Sequence, residues 1–600
     1  MKFSLSWLKD HLETSALPHE IADKLTNIGL EVESLTNPAE LLGPFRIARV
    51  LSAERHPQAD KLQVLSVDAG DGPVQVVCGA PNARAGLVGV FGPPGAFVPG
   101  SDLTLKIATI RGVESRGMMC SVKELQLGEE HDGIIELPAD APVGATYAEW
   151  ARLDDVVFDV AVTPNRQDCM GVRGIARDLA AAGLGRLKPL DVPAIEGSFD
   201  CPVDIRTEDP EGCPAFYGRV VRGLTNGPSP DWLQQRLKSA GQRPISALVD
   251  ITNYVMLDLG RPAHAYDLTH LKGAVTARRA RDGETVMALN EKEYRLDPSM
   301  TVIADEAQVH DIGGIMGGEH SGVGEATSDT LLEIAYFDPE RIARTGQKLQ
   351  LTSDARSRFE RGVDPAFLDD GLAILTGLVL DICGGEASRM ARAGQPPVEA
   401  RRIRFEPART ASLGGLDVPE ERQRAILESL GFAIADGEAV VPSWRRDVTG
   451  PADLVEEVAR IVGYDAVPAT PLPRAEGVAR PTATRAQVGE RRVRRMAAAR
   501  GLVEAVTWSF ISAEDAEAFG GAADVVANPI SAEMSHMRPS LLPGLIAAAR
   551  RNLDRGAASV RLFEIGRRYL EEGERRTAAF ILSGDKGQRS WLSGKPADFT

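Results

Sequence analysis

Arg243-Pro244-Ile245, Val249-Asp250-Ile251-Thr252-Asn253-Tyr254-Val255-Met256 and Arg261-Pro262-Ala263-His264-Ala265-Tyr266-Asp267 open a stretch that continues through Gly313-Gly314-Ile315-Met316-Gly317-Gly318 and closes at Leu332-Glu333-Ile334-Ala335-Tyr336-Phe337-Asp338-Pro339. It sets one histidine, one carboxylate and a Thr-Asn pair among apolar residues, with glycines that let backbone N–H groups approach a ligand closely. Such a pocket can read a hydroxyl. The same residues also read as a satisfied core histidine, an edge-strand carboxylate and a turn, and taken alone they leave both readings open. No Ser-His-Asp or Cys-His arrangement argues for a covalent nucleophile.

The chain around this stretch has 600 residues, too many for one core, so several domains are expected. Hydrophobic and charged contents of 43% and 26% fit a globular protein, and 59 glycines with 38 prolines imply many turns. A formal net charge of −17 counts against coating nucleic acid by bulk electrostatics. RNA binding must then rest on local basic patches. Three candidates are Arg341, Arg344, Lys348, Arg356, Arg358 and Arg361; Arg485, Arg491, Arg492, Arg494 and Arg495; and Arg550, Arg551 and Arg555, each of which also reads as a solvated helix face. The 6 cysteines contain no Cys-x-x-C pair, which suits a reducing cytosol. No signal peptide or membrane span is read, so a cytoplasmic protein is expected.

Residues 1–38 read as a strand and an amphipathic helix with Ile21, Leu25 and Ile28 at helical spacing and Gly29 as its stop. That is too little to bury a core, and residues 151–200 supply the partner: a strand at Val156–Val160 and a helix over Asp168–Ala182. The intervening residues 39–150 carry five short apolar runs, Phe45–Leu51, Leu62–Val67, Val74–Cys78, Val88–Val90 and Leu103–Ile107, which predict a small barrel of the OB type. From 205 to 395 lies the pocket stretch. Its arginine-rich loop Leu351–Pro365 reads either as a phosphate contact or as ion pairs tying subdomains together.

Residues 400–472 contain Ser443-Trp444-Arg445-Arg446-Asp447 followed by a helix that Pro451 starts and Gly463 stops. Leu454, Val455, Val458, Ile461 and Val462 form its expected buried stripe, leaving Asp453, Glu456 and Glu457 on the other side. With Asp447 these carboxylates could share a hard divalent cation, Mg²⁺ being the plausible ion. The alternative is a solvated face on which Arg460 pairs with Glu456.

These segments, in this order, resemble the β-subunit family of bacterial phenylalanyl-tRNA synthetases over essentially the whole chain. Thr163-Pro164-Asn165-Arg166-Gln167-Asp168-Cys169 looks like a family signature; His56–Leu62, Val77–Asn82 and Arg111–Ser121 resemble a tRNA-binding module shared by several synthetases. The resemblance implies a pocket that hydrolyses tyrosine mistakenly attached to tRNA(Phe), with Glu333 and the backbone near Gly314 at the tyrosine hydroxyl. His264, Thr252, Asn253 and Arg243 would line the site toward the ester, His264 orienting substrate and water. It also implies Mg²⁺ at Asp447, Asp453, Glu456 and Glu457, shared with an α subunit, and use of ATP by the assembled enzyme.

Residues 475–600 look like a class II synthetase core without its chemistry: Gly501–Phe510, Met537–Leu545 and Val560–Gly566 stand in family order, and Leu562 occupies the place of the arginine that would clamp ATP. The family normally continues further, through the rest of that core and an anticodon-binding domain, while this sequence ends at Thr600. The expected architecture is therefore multidomain α+β: a discontinuous N-terminal domain (1–38 plus 151–200) with an inserted OB-fold (39–150), an α/β editing domain (205–395), a small winged-helix-like domain (400–472) and a catalytically inactive class II synthetase-like core (475–600). The partners implied are the α subunit in a heterotetramer of two α and two β chains, and tRNA(Phe), with no membrane and no DNA. A free-standing deacylase that edits in trans and a tRNA-binding scaffold without chemistry are the alternatives.

Overall fold

The computed structural model describes residues 1–128, 131–151, 153, 155–473, 481–521, 524–584 and 591, so the last nine positions, Thr600 among them, lie outside it. The chain divides into two compact units, Met1–Thr470 and Pro471–Thr600. No helix among the described residues is long and apolar enough to cross a membrane.

In the first unit, strand Val157–Val160 runs between Lys2–Ser4 and Val32–Thr36, antiparallel to both. Distant pieces of sequence thus share one sheet. Helix Pro18–Asn27 buries Ile21 and Leu25, and Gly29 ends it at φ +92°. The helix read over Asp168–Ala182 is shorter: a 3₁₀ turn occupies Gln167–Cys169 and the α-helix runs Val172–Ala181. A Cβ at Gly174 would meet the Asp168 carbonyl oxygen at 1.7 Å, so the chain turns tightly here before it can become helical.

An antiparallel sheet follows in the order Met118–Met119, Val88–Gly92, Arg46–His56, Ala59–Asp68, Pro73–Cys78, with an apolar cluster on each side. The expected fifth strand, Leu103–Ile107, is not in it. Only Leu103–Thr104 is extended, paired with Phe97–Val98, because Leu103 and Ile107 are exposed and Asp102 takes a left-handed turn.

The pocket stretch is built on two sheets. One runs His264–Asp267, Asp329–Tyr336, Ala215–Arg222, with Glu386–Ala387 and Ala391–Gly394 on the far edge. The other runs Ile205–Thr207, Val275–Arg279, Thr301–Ala304, Val309–Ile312, Met316–Gly317. Strand Asp329–Tyr336 is buried along nearly its whole length, with helix Leu368–Cys383 packed on it, and its stretch Leu331–Tyr336 reads as an apolar run interrupted by Glu333. One hydrophobic cluster joins this region to the N-terminal sheet, from Phe3 and Trp7 to Leu331 and Ile334. Asp258 ties the same join by accepting from Trp7 Nε1 at 2.7 Å.

The loop Leu351–Pro365 resolves toward ion pairs and backbone contacts. Arg358 is buried and donates to the carbonyls of Met170 and Asp354, Arg361 donates to the carbonyl of Val162, and Arg356 pairs with Glu360. Residues 402–462 form a three-stranded sheet, Arg402–Arg404, Glu438–Val440, Ala433–Ala435, with helices Ala408–Gly414, Glu420–Ser429 and Pro451–Val462.

In the second unit, Val560–Leu570 pairs parallel with Val503–Glu504 and antiparallel with Gly573–Ser583. Glu564 on this strand is buried and accepts from Arg538 Nη1 at 2.7 Å and from the Thr507 hydroxyl at 2.6 Å.

Candidate functional site

The pairing register sets His264 directly opposite Glu333 on neighbouring strands, so their side chains share one face. Tyr266, two residues on, shares that face. Its hydroxyl lies 2.6 Å from Glu333 Oε2 and is also hydrogen-bonded to Asp311 Oδ2 from the second sheet. Asp311 Oδ1 accepts from the Gly318 N–H at 3.0 Å, and His264 Nε2 stands 3.7 Å from the same oxygen. That imidazole nitrogen is buried without a hydrogen-bond partner among the described residues.

Gly317 makes room for this arrangement: a Cβ there would sit 2.7 Å from His264 Cε1. Gly314 serves another purpose. It turns at φ +69°, and a Cβ there would meet Phe337 at 2.8 Å and Ile342 at 2.9 Å, so it packs the loop rather than facing His264.

The structure therefore gathers His264, Glu333, Tyr266, Asp311 and Gly317. Thr252 and Asn253 are half-buried on helix Ala247–Leu259, which packs against the His264 strand, but the Thr252 hydroxyl donates to the Val249 carbonyl at 2.8 Å and no hydrogen bond links either residue to His264 or Glu333. Arg243 is exposed. Asp311 escaped the sequence reading, although a carboxylate inside the short apolar strand Val309–Ile312 was its signal.

Glu333 is 6% exposed, and among the described residues its only hydrogen-bond partner is Tyr266. Burial, and next the Asp311 charge, outweigh that hydrogen bond and push its carboxyl up to about 8. Burial and the two carboxyls likewise drive the Tyr266 phenol upward. At neutral pH the group opposite His264 is therefore a carboxylic acid, able to accept through one oxygen while holding a proton on the other.

The second group of candidates differs from its expectation. Helix Pro451–Val462 begins and ends where Pro451 and Gly463 place it, but Glu457 points inward and only Glu456 faces solvent. The reading of Asp453, Glu456 and Glu457 as one outer face is corrected accordingly. Both oxygens of Asp447 are held by Arg445, at 2.9 and 2.8 Å. Both oxygens of Glu457 are held by Arg445 and by Arg460, the latter at 2.8 and 2.6 Å. Arg460 thus pairs with Glu457 rather than Glu456, and it reaches on to Asp178 at 2.9 Å. Asp453 Oδ2 caps its helix by accepting from the N–H groups of Thr449 and Gly450.

Burial opposes ionisation of Glu457, but the two guanidinium groups win and hold it down to about 2. Among the described residues, the three ligating side chains whose atoms cluster within 4.8 Å are Asp168, Cys169 and Asp178, and Arg166 and Arg460 already occupy those carboxylates.

Known proteins place these pieces in one context. Family models match as a tRNA-binding domain over residues 45–146, a B3/4 domain over 212–384, a tRNA synthetase B5 domain over 403–464 and a phenylalanyl tRNA synthetase beta chain CLM domain over 469–600. Phenylalanine–tRNA ligase beta subunits of Novosphingobium aromaticivorans and Zymomonas mobilis subsp. mobilis are 65% and 60% identical, each aligning with 100% of this chain and 76% of its own length. That of Rhodopseudomonas palustris is 55% identical over 97% of this chain and 73% of its own length.

Two outcomes follow from these charges. Replacing Arg460 by Ala strips a guanidinium from both Glu457 and Asp178; removing one partner of a buried pair costs about 3–5 kcal/mol, so the denaturation midpoint of the variant should fall clearly, and an unchanged midpoint contradicts the network. For Glu333 the sign is opposite to a salt-bridged acid. The folded carboxyl keeps its proton up to about 8 while the unfolded chain releases it near the ordinary 4.5, so its contribution is complete in acid and lost as pH rises through that window. Glu333→Gln should therefore gain thermal stability relative to wild type between about pH 5 and about pH 8, by an amount on the order of a few kcal/mol; an equal difference at both pH values would show an ordinary carboxylate.

Proposed function

This chain belongs to the family of phenylalanine–tRNA ligase β subunits, and from that premise we propose that its pocket at Glu333 and His264 removes tyrosine from tRNA(Phe) charged in error. As a β subunit it is part of an aminoacyl-tRNA ligase and carries a B3/4 domain and a tRNA-binding domain. The observation that carries the proposal is a buried, protonatable carboxyl set opposite an imidazole whose Nε2 has no hydrogen-bond partner among the described residues. An apolar synthetic site cannot strongly reject an amino acid that merely adds a hydroxyl, so a second site that prefers the hydroxyl is needed.

In this mechanism Glu333 accepts the tyrosine hydroxyl, and phenylalanine would leave that acceptor unmet at a cost in binding. His264 orients the ester and the attacking water. Thr252, Asn253 and Arg243 line the site toward the ester, and the backbone near Gly314 lies at the tyrosine hydroxyl. No covalent intermediate on the protein is involved.

In the wider proposal the chain works in the cytoplasm as one of the β chains of a heterotetramer of two α and two β chains. The α subunit activates phenylalanine with ATP, while residues 39–150 form an OB-fold that docks tRNA. Residues 1–38 with 151–200, 205–395, 400–472 and 475–600 are the discontinuous, editing, winged-helix-like and class II synthetase-like domains. The carboxylates Asp447, Asp453, Glu456 and Glu457 do not fit a cation by themselves as they stand, since Arg445 and Arg460 fill the oxygens of two of them. Mg²⁺ at this set is proposed only for the interface with the α subunit, and no step of editing passes through it.

The test is deacylation of Tyr-tRNA(Phe) by the chain assembled with its α subunit. Glu333→Ala and His264→Ala should each slow hydrolysis by about 10-fold or more, leaving phenylalanine attachment intact. Unchanged hydrolysis in both removes the site assignment, and loss of attachment as well would point to a general folding defect.

A further inference from the structure

One phenolic proton at Tyr266 faces two carboxyl groups, Glu333 Oε2 at 2.6 Å and Asp311 Oδ2 on the other side. A phenol donates a single hydrogen bond, so two ionised carboxylates at its oxygen would leave lone pair against lone pair in a buried site. One of the acids must carry a proton. The surroundings decide which. Asp311 has a second donor, the Gly318 N–H at 3.0 Å, and His264 Nε2 at 3.7 Å from the same oxygen. Glu333 has only Tyr266 among the described residues.

The order of hydrogen bonds then runs one way: the Glu333 O–H donates to the Tyr266 oxygen, and the Tyr266 O–H donates to Asp311. We propose that Asp311 and Tyr266 are positioning residues of the hydroxyl pocket, fixing the proton on Glu333 and the charge on Asp311 so that Glu333 meets a phenol-bearing aminoacyl ester with its remaining oxygen as a neutral acceptor. This rests on the editing reading above and adds to it residues that act through Glu333. It also sets the one negative charge beside His264 Nε2, which favours the proton on that nitrogen and leaves Nδ1 to accept from water.

The neighbourhood supports a single charge. Around Glu333 the titratable groups are His264 and Tyr266 on the adjoining strand, Asp311 and His310 on Val309–Ile312, and Cys213 before the strand on the other side. Arg261 gives its guanidinium to the carbonyls of Ala335 and Asp364 instead. The upward displacement of Glu333, caused by burial and then Asp311, agrees with a retained proton.

The experiment is a carbon-13 NMR titration of the Glu333 carboxyl in the full chain, its signal assigned by loss in Glu333→Gln. Wild type should titrate well above an ordinary glutamate. Asp311→Asn should lower the midpoint by about one pH unit or more, and the pH profile of Tyr-tRNA hydrolysis should move with it. Ile334→Val, a packing change on the opposite face of the strand, should leave it in place.

An ordinary midpoint in wild type overturns the proposal even if every variant misfolds, and so does a midpoint that Asp311→Asn leaves unmoved or that Ile334→Val lowers equally. The titration needs no substrate, so the two readings fail separately. A high midpoint that falls in Asp311→Asn, with hydrolysis indifferent to Glu333, would sink the editing role and the acceptor role while keeping the proton on Glu333.

Discussion

A carboxyl group placed in the middle of a buried strand must find a counter-charge or keep its proton. Glu333 has no guanidinium or ammonium among its hydrogen-bond partners in the described residues, and its neighbour Asp311 carries the same sign. The proton is the remaining solution, and the pocket follows from it. Gly317 clears space for the His264 ring, Gly318 presents its N–H to Asp311, and Tyr266 spans the gap between the two acids. Each of these side chains makes sense only with the others in place.

Glu457 shows the other solution in the same chain. It is as deeply buried as Glu333, yet Arg445 and Arg460 reach both of its oxygens and hold it ionised. That network reaches Asp178 in helix Val172–Ala181, so it fixes residues 451–462 against residues 172–181. Such a network holds geometry. Its cost in desolvation is offset only because each charge has a partner, which suits a structural role and leaves Glu333 as the buried acid with chemistry to offer.

Much of this was legible in the sequence, for physical reasons that can be named. Pro451 and Gly463 delimit their helix because proline suits a first helical turn and glycine a left-handed stop. His264 and Glu333 stand out in the sequence as polar residues among apolar ones, and the sheet register makes them neighbours. What stayed hidden depended on contacts between distant segments. The inward turn of Glu457 is set by Arg445, twelve residues upstream, and helical periodicity alone cannot anticipate a buried ion pair. Asp311 comes from a different sheet, so only the tertiary fold brings it to Tyr266. Gly314 and Gly317 look alike in sequence and differ in what lies behind their Cα atoms.

The central claim is that a phenolic hydroxyl is read at Glu333. The most direct measurement is a crystal structure of the chain with a non-hydrolysable tyrosyl-adenosine analogue, an amide replacing the ester. The account requires the tyrosine oxygen within hydrogen-bond distance of the Glu333 carboxyl, with the amide turned toward His264. A ligand seated elsewhere, with Tyr266 still closing off Glu333, would contradict it.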